Sequence, residues 1–319
     1  MSKKNQNCCE KFKTTIGGQA LIEGIMMKSP EKTAIAVRTK DGEIDVSFVE
    51  EKHLRDKYKF FGIPVVRGVV NFVETLITGY KALMFSAEKS GFTEIEEEDG
   101  KEPTKLSEKF MNIIMVIAGV LGVGLAVVLF MLLPRLAVEG LRMLFKTDFS
   151  PVVRSGIEQT IKLLVFVIYV WAVSFMKDIR RVFMYHGAEH KTIFCFENGL
   201  PLTVENIRKQ KRLHPRCGTS FMILMILISV VFSTLVQIIF PSVYNLAWAW
   251  VIIKILLVPL CCGAGYEVLK YCGKHDNLFT KIVSAPGKWL QKITTGEPDD
   301  DMIEVAAAAF TAVLPSQSN

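Results

Sequence analysis

Apolar residues gather in the second half of the chain in runs long enough to cross a lipid bilayer. The residues from Phe110 to Pro134 carry no charge, and about 20 apolar residues in a helix span a hydrocarbon core of about 30 Å. A second uncharged run covers Leu163 to Met176, after Glu158 and Lys162. We expect this charged i,i+4 pair to reach toward lipid headgroups. A buried core helix is the alternative for the second run.

The third apolar run is too long for a single crossing. No residue from Cys217 to Ile253 is charged, and Pro241 to Asn245 supplies a break. We predict a helical hairpin there, with spans near 219–240 and 245–265. Backbone groups in lipid must be hydrogen-bonded within the structure that crosses it. The pattern therefore predicts an all-α integral membrane bundle of about four transmembrane helices over residues 110–265.

The part before the bundle, residues 1–109, is more polar and predicts a small water-facing α+β region. A β-hairpin is expected around Lys40-Asp41-Gly42, after an apolar strand-like run from Gly17 to Met27. Helical spacing from Val65 to Ser86 predicts an amphipathic helix that packs on the bundle. The acidic stretch from Glu94 to Glu102 is typical of a solvated linker.

The sequence predicts a second water-facing region at the C-terminal end, over residues 266–319. Turns are expected at Ala285–Trp289 and Thr294–Pro298, and a final helix from Met302 to Val313 is too short to span a bilayer. We expect that helix to dock on the cytoplasmic region.

Basic residues between the spans predict the orientation. Lys and Arg are frequent between residues 177 and 216 and absent from 241–245, and such residues favour the cytoplasmic side. We expect a cytoplasmic loop at 177–218, both termini in the cytoplasm, and a multi-pass protein of the cell membrane. Four basic residues assigned to the first outer connection oppose the trend: Arg135, Arg142, Lys146 and Arg154.

Composition narrows the class of protein further. The net charge of +6 is expected to serve topology and contact with the lipid bilayer, and no basic stripe interleaved with aromatic residues predicts nucleic-acid binding. The polar start of the chain lacks the apolar segment of a cleaved signal peptide. Seven cysteines, an odd number, do not suggest a disulfide framework in a reducing compartment.

The sequence His186-Gly187-Ala188-Glu189-His190 is the clearest chemical signal. On a helix, residues four apart share a face, so both imidazoles could bind one divalent metal. The order H-x-x-E-H is that of inverted zinc-protease helices, in which the Glu activates a water. We therefore predict His186 and His190 as metal ligands and Glu189 as the catalytic carboxylate.

Two further donors follow in the same predicted loop, His214 and Cys217. Zinc favours tetrahedral nitrogen and sulfur ligands, so one or both would complete a Zn²⁺ site with the two earlier histidines. Three protein ligands leave a position open for catalysis, whereas four make the site structural.

Other interpretations of this cluster stay open. The polar residues could form a hydrogen-bonded core at the membrane face, because Gly187 weakens the case for a helix through the motif. Cys217 could instead be an acidified nucleophile at the start of a helix. Thr219 and Ser220 are predicted N-cap residues of the third span.

Three charged residues outside the cluster have two interpretations each. Glu23 could be a ligand, or it could pair with an arginine at a strand end. Lys254 lies within the predicted fourth span, where an ionisable group is costly and is functional by default, but it could pair with a polar neighbour. Glu267 could approach the histidines or be a solvated helix-end residue.

The chain resembles the YqhQ family of bacterial proteins, a family of unknown function described as predicted metal-dependent enzymes. The resemblance covers nearly the whole chain and implies a membrane protein with a metal site, without naming a substrate. It rests on the blocks Gly17–Ala20, Ile22–Gly24, Met26–Met27, His186–Thr192, Leu202–Asn206, His214–Phe221, Pro286–Gly287 and Thr294–Pro298.

Two functional hypotheses follow from these patterns. The first is a zinc-dependent membrane enzyme, hydrolytic, with its site at the cytoplasmic face. The second is a non-catalytic membrane binding, metal-sensing or transport-related protein whose His/Cys site is structural.

Overall fold

A computed structural model describes residues 13–49, 59–92, 105–214, 217–275 and 277–315. The fold is mostly helical, with one small antiparallel sheet. The strands are β1 Gly17–Leu21, β2 Gly24–Lys28, β3 Thr33–Arg38 and β4 Ile44–Val49. The helices are α1 Val66–Lys89, α2 Lys105–Val127, α3 Leu133–Phe145, α4 Pro151–Val173, α5 Lys177–Glu197, α6 Val204–Arg208, α7 Gly218–Ile239, α8 Pro241–Asn245, α9 Ala247–Lys274, α10 Leu278–Thr294 and α11 Asp300–Val313.

Four helical segments are long and apolar enough to cross a membrane, as the sequence predicted. They are Val116–Phe145, Pro151–Val173, Gly218–Ile239 and Trp248–Cys272. The first continues past its expected end at Pro134, because a π-helical segment, Val128–Leu132, joins α2 to α3. Pro134 lies at the start of α3, where its missing N–H costs little. Arg135 and Arg142 are therefore helical and not in a connection.

In the second candidate span, Glu158 does not have the surroundings that the sequence predicted. The α4 helix begins at Pro151 behind the N-cap Ser150, so Glu158 lies well inside it and is fully buried. Its carboxylate pairs with the Lys254 ammonium of α9. The expectation that Glu158 and Lys162 reach headgroups is wrong for Glu158, because α9 supplies a closer cation within the bundle.

The predicted helical hairpin is present as α7 and α9, with the short α8 at the turn. The predicted loop 177–218 is instead largely the α5 helix. The predicted linker from Glu94 to Glu102 lies outside the described residues. The α1 helix packs on α9, as expected. The prediction of a turn at Ala285–Trp289 is wrong, because α10 runs through Pro286 and its Gly287 packs on Ser220 of α7.

The sheet is a meander in the order β1-β2-β3-β4, and its last hairpin surrounds Lys40 as predicted. The run from Gly17 to Met27 is two strands, not one, and the chain reverses at Glu23 with φ of 50°. The run is apolar throughout because both faces of the sheet are covered. One face packs on α1, and the other packs on α5 and α11. The final helix thus docks on the sheet.

Candidate metal centre

The H-x-x-E-H motif lies within the regular α5 helix, despite its glycine. A side chain at Gly187 would overlap the carbonyl oxygen of Gly296, so glycine permits a close approach of the segment that follows α10. The helical spacing places the His186 and His190 rings face to edge, with centroids 4.4 Å apart. The chain is therefore helical through the whole motif.

Hydrogen bonding determines which ring nitrogen of His186 is free for a ligand. Its Nδ1 lies 2.8 Å from the carbonyl oxygen of Thr294. A carbonyl only accepts, so Nδ1 carries the proton, and the neutral ring has its lone pair on Nε2. That Nε2 lies 3.0 Å from the Cys217 Sγ.

His190 is arranged in the same way. Its Nδ1 donates to the main-chain oxygen of Arg212 at 2.5 Å, which leaves the lone pair on Nε2. The Nε2 atom is buried and points toward Cys217, but it makes no hydrogen bond of normal length and angle with any described residue. Burial, the largest influence, lowers the pKa of His190 and favours the neutral ring that can bind a metal. A buried acceptor without a partner is rare in native proteins and needs an explanation.

Cys217 completes the cluster as the N-cap residue of α7, where its Sγ accepts from the Thr219 N–H at 3.5 Å. The prediction that Thr219 and Ser220 cap this helix is wrong, since both lie in its first turn. The ligand atoms of His186, His190 and Cys217 all lie within 4.8 Å of one another, the one such group of three found in the described part of the chain. Thiolate is the form of cysteine that binds metals.

His214, also predicted as a ligand, lies outside this group. Its ring packs on Phe194 with centroids 4.8 Å apart, and its Nε2 lies 3.8 Å from the Glu197 carboxylate. The Gln291 side chain binds both backbone groups of His214, at 2.8 Å each. The His214 ring also lies beside that of His190, with centroids 5.6 Å apart. The group whose ligand atoms come together nevertheless contains Cys217 and not His214.

Glu189 lies beside the cluster without joining it. Its side chain is buried and accepts a hydrogen bond from the Gly18 backbone of β1. Burial raises the pKa of Glu189, while His186 and the Gly18 hydrogen bond lower it by smaller amounts. A carboxyl group with a raised pKa holds a proton more readily than an ordinary one, which suits a group that takes and gives a proton.

The other candidate carboxylates are ion-paired. Glu23 accepts two hydrogen bonds from Arg181, at 2.5 and 2.6 Å, and one from the Tyr185 hydroxyl. Glu267 binds Arg67 of α1 through two hydrogen bonds. The ion-pair interpretation of Glu23 is confirmed, and neither carboxylate belongs to the three-residue group.

Several residues that orient the cluster were missed by sequence reasoning. The carbonyls of Thr294 and Arg212 orient the two imidazole rings. The Gln291 side chain holds the chain segment around His214 in place. Every residue has a main-chain carbonyl, so the residue type does not show which carbonyl binds a histidine ring. The one available signal was Thr294–Pro298, which the sequence marked as a turn, and whose Glu297 binds the buried Lys191.

Comparisons with known proteins identify the family of this chain. A family model described as "Protein of unknown function (DUF1385)" matches residues 63–316. The "Uncharacterized protein YqhQ" of Bacillus subtilis (strain 168) is 36% identical over 300 residues, which cover 93% of this chain and 92% of that protein. No solved structure was found to match. The chain therefore belongs to the YqhQ-like DUF1385 family.

Proposed function

We propose that this protein is a multi-pass membrane protein with a zinc-dependent hydrolytic site at the cytoplasmic face. One observation supports it above all: His186 and His190 both donate Nδ1–H to backbone carbonyls and turn their Nε2 atoms toward the Cys217 thiol. Metal-binding histidines are typically held by such a second hydrogen bond. Two imidazoles and a thiolate are donors that suit zinc.

The membrane orientation is argued from packing and charge. The N-terminal sheet, the α5 helix and the C-terminal α11 helix form one packed unit. Both ends of the described chain therefore lie on one side, which is consistent with an even number of crossings by the four apolar helices. The basic residues between 177 and 216 favour the cytoplasm for that side.

The residues fit a metal ion because a bound cation would satisfy the orphaned lone pair of His190. Zinc would supply Lewis-acid chemistry and lower the pKa of a water in the position that three protein ligands leave open. His186, which is partly exposed, gives the site its access to solvent. Glu189 would take a proton at its carboxylate oxygen and return it to the leaving group, as its raised pKa favours.

Elemental analysis of detergent-purified protein tests the metal part of this proposal. We expect close to one zinc per chain, lost on changing His186 and His190 together to Ala and strongly reduced by Cys217→Ser. His214→Ala should retain the metal. The matched controls are His275→Ala and Cys272→Ser, at positions outside the cluster. Folded wild-type protein without metal would falsify the proposal.

A second candidate function, a structural or metal-sensing site in a non-catalytic membrane protein, rests on the position of Glu189. Its carboxylate is buried and hydrogen-bonded to the Gly18 backbone, as a purely structural group would be. Glu189→Gln distinguishes the two candidates. An enzyme keeps its zinc and loses hydrolysis of a panel of chromogenic phosphate esters, carboxylic esters and peptides, whereas a structural site keeps its zinc and shows no such hydrolysis in either form.

A further inference from the structure

A second polar cluster lies inside the bundle of apolar helices, and none of the three metal-site residues belongs to it. A cavity of about 110 Å³ is bounded by α4, α7 and α9. Its polar lining consists of Lys162, Ser229, Ser233 and Lys254, and the rest of the wall is almost wholly apolar. In lipid, ionisable side chains that face a cavity within a bundle mark binding sites or ion pathways by default.

The charges at this cavity do not balance. Lys254 pairs with the fully buried Glu158, through one oxygen of the carboxylate, and the second oxygen has no described partner. Lys162 lies one helical turn after Glu158 and also lines the cavity. Its ammonium group makes no hydrogen bond or ion pair with any residue the structure describes. Two cations thus face the cavity against one carboxylate.

Buried polar atoms without a described partner also occur on residues next to the lining. The Ser229 hydroxyl is shared between the Ile226 carbonyl and the Gln159 Oε1, which leaves the buried Nε2 of Gln159 without a described partner. The buried Gln237, one turn after Ser233 on α7, has no partner within the described ranges for either its Nε2 or its Oε1. Unpaired donors are costly away from water.

The helices are irregular where they meet the cavity. Met131, in the π-helical segment between α2 and α3, forms part of the wall, and Pro259 interrupts α9 next to the lining residue Val258. Single π-turns in helices are frequent at functional sites. In membrane proteins, broken helical hydrogen bonding is tolerated where it lines a cavity.

We propose that this cavity binds a phosphate-class oxyanion, either free inorganic phosphate or the phosphate of a lipid headgroup. The cavity has room for several water molecules and so for one such group. Ammonium and hydroxyl groups are suitable phosphate partners. The site rests on the proposed membrane insertion and is independent of the metal centre, so loss of zinc should leave it unchanged.

The test uses full-length protein in neutral detergent, with two probes. Inorganic phosphate is titrated calorimetrically at constant ionic strength, and native mass spectrometry measures retention of phosphatidylglycerol against phosphatidylcholine. Phosphate binding alone identifies a free-anion site, and selective retention of phosphatidylglycerol identifies a headgroup site. Binding of neither probe overturns the proposal.

Lys162→Gln should weaken whichever probe binds by about tenfold or more, since it removes one charge-assisted hydrogen bond. Lys162→Arg keeps the charge and should retain most of the affinity, which covers the case in which the Gln variant fails to fold. Lys146→Gln, at an exposed lysine at the end of α3, is the matched control and should bind as the wild type does. Equal binding by wild type and Lys162→Gln also overturns the proposal.

Discussion

Gly187 and Gly296 are in direct backbone contact. A Cβ at Gly187 would overlap the Gly296 carbonyl oxygen, and the Gly296 N–H donates to the Phe183 oxygen one turn earlier on α5 at 2.7 Å. These contacts hold the end of α10 along α5 and bring the Thr294 carbonyl to His186. The glycine inside the motif is therefore a packing requirement.

Gly187→Ala should lower the free energy of unfolding by about 1–3 kcal/mol, because the added methyl meets backbone that cannot rotate away. Metal content should fall with it, since the Thr294 carbonyl moves off His186. Thermal unfolding in detergent and elemental analysis measure the two effects. Gly156→Ala is the control: its new methyl meets nothing within 4 Å, and alanine favours the helix. Equal stability of both variants would contradict the contact.

Gln291→Leu should destabilise the protein by about 2–4 kcal/mol. The fully buried Gln291 amide satisfies both backbone groups of His214, and each would be left without a partner at about 1–3 kcal/mol. Zinc affinity should drop about tenfold, because Arg212, whose carbonyl orients His190, lies in the same segment. A zinc titration decides this point, and unchanged affinity would mean that the segment is held by other contacts.

Glu23→Gln should leave zinc content unchanged. Glu23 binds Arg181 and Tyr185 and has no place in the ligand group. The pair is partly exposed, so its loss should cost only about 1 kcal/mol of stability. Elemental analysis and a thermal melt test both statements. A variant that lost its zinc while keeping its melting temperature would assign Glu23 to the metal.

Glu158→Gln should destabilise the protein by about 3–5 kcal/mol, because Lys254 would remain as an uncompensated buried charge. The double variant Glu158→Leu with Lys254→Met should be close to the wild type in stability. Unfolding in mixed micelles compares the two. A double variant as unstable as the single one would show that the pair does more than neutralise its own charges.

The free energy of unfolding should decrease above about pH 8.5 because of the buried Cys195 thiol. Its thiol is fully buried under α11, and burial raises its pKa. Above the ordinary thiol pKa of about 8.5 the unfolded chain loses this proton and the folded chain keeps it, so rising pH favours unfolding. Melting temperatures of wild type and Cys195→Ala between pH 7 and 10 measure the difference. Parallel pH profiles would contradict it.

The bundle was predictable from sequence because long apolar runs leave few alternatives. What sequence reasoning lacked was the environment of each charge. Glu158 and Lys162 looked like a pair on one helix, but a fully buried carboxylate bonds to the cation that the tertiary packing provides, Lys254. The apolar run through Glu23 likewise gave no sign that the chain reverses direction there. A sheet that is covered on both faces lacks the alternation of apolar and polar residues that would mark separate strands.

The three residues of the cluster were predictable by residue type, but the sequence left open whether the chain is helical through the motif. Choosing between His214 and Cys217 was not possible, because the choice depends on where the chain turns between α6 and α7. The groups that orient the rings were hidden for a simpler reason. They are backbone carbonyls, and any residue could supply them.

The packed unit of sheet, α5 and α11 draws on segments from before and after the four candidate spans, and this sets an order for biosynthesis. The sheet face that bears Ile25 and Met27 is covered by α11, which follows all four candidate spans in the chain. Until α11 has been made, that face of the sheet lacks part of its permanent cover and is open to chaperones or misassembly. The assembled unit becomes available only once the last helix has been made, so a nascent or shortened chain would leave this face partly uncovered.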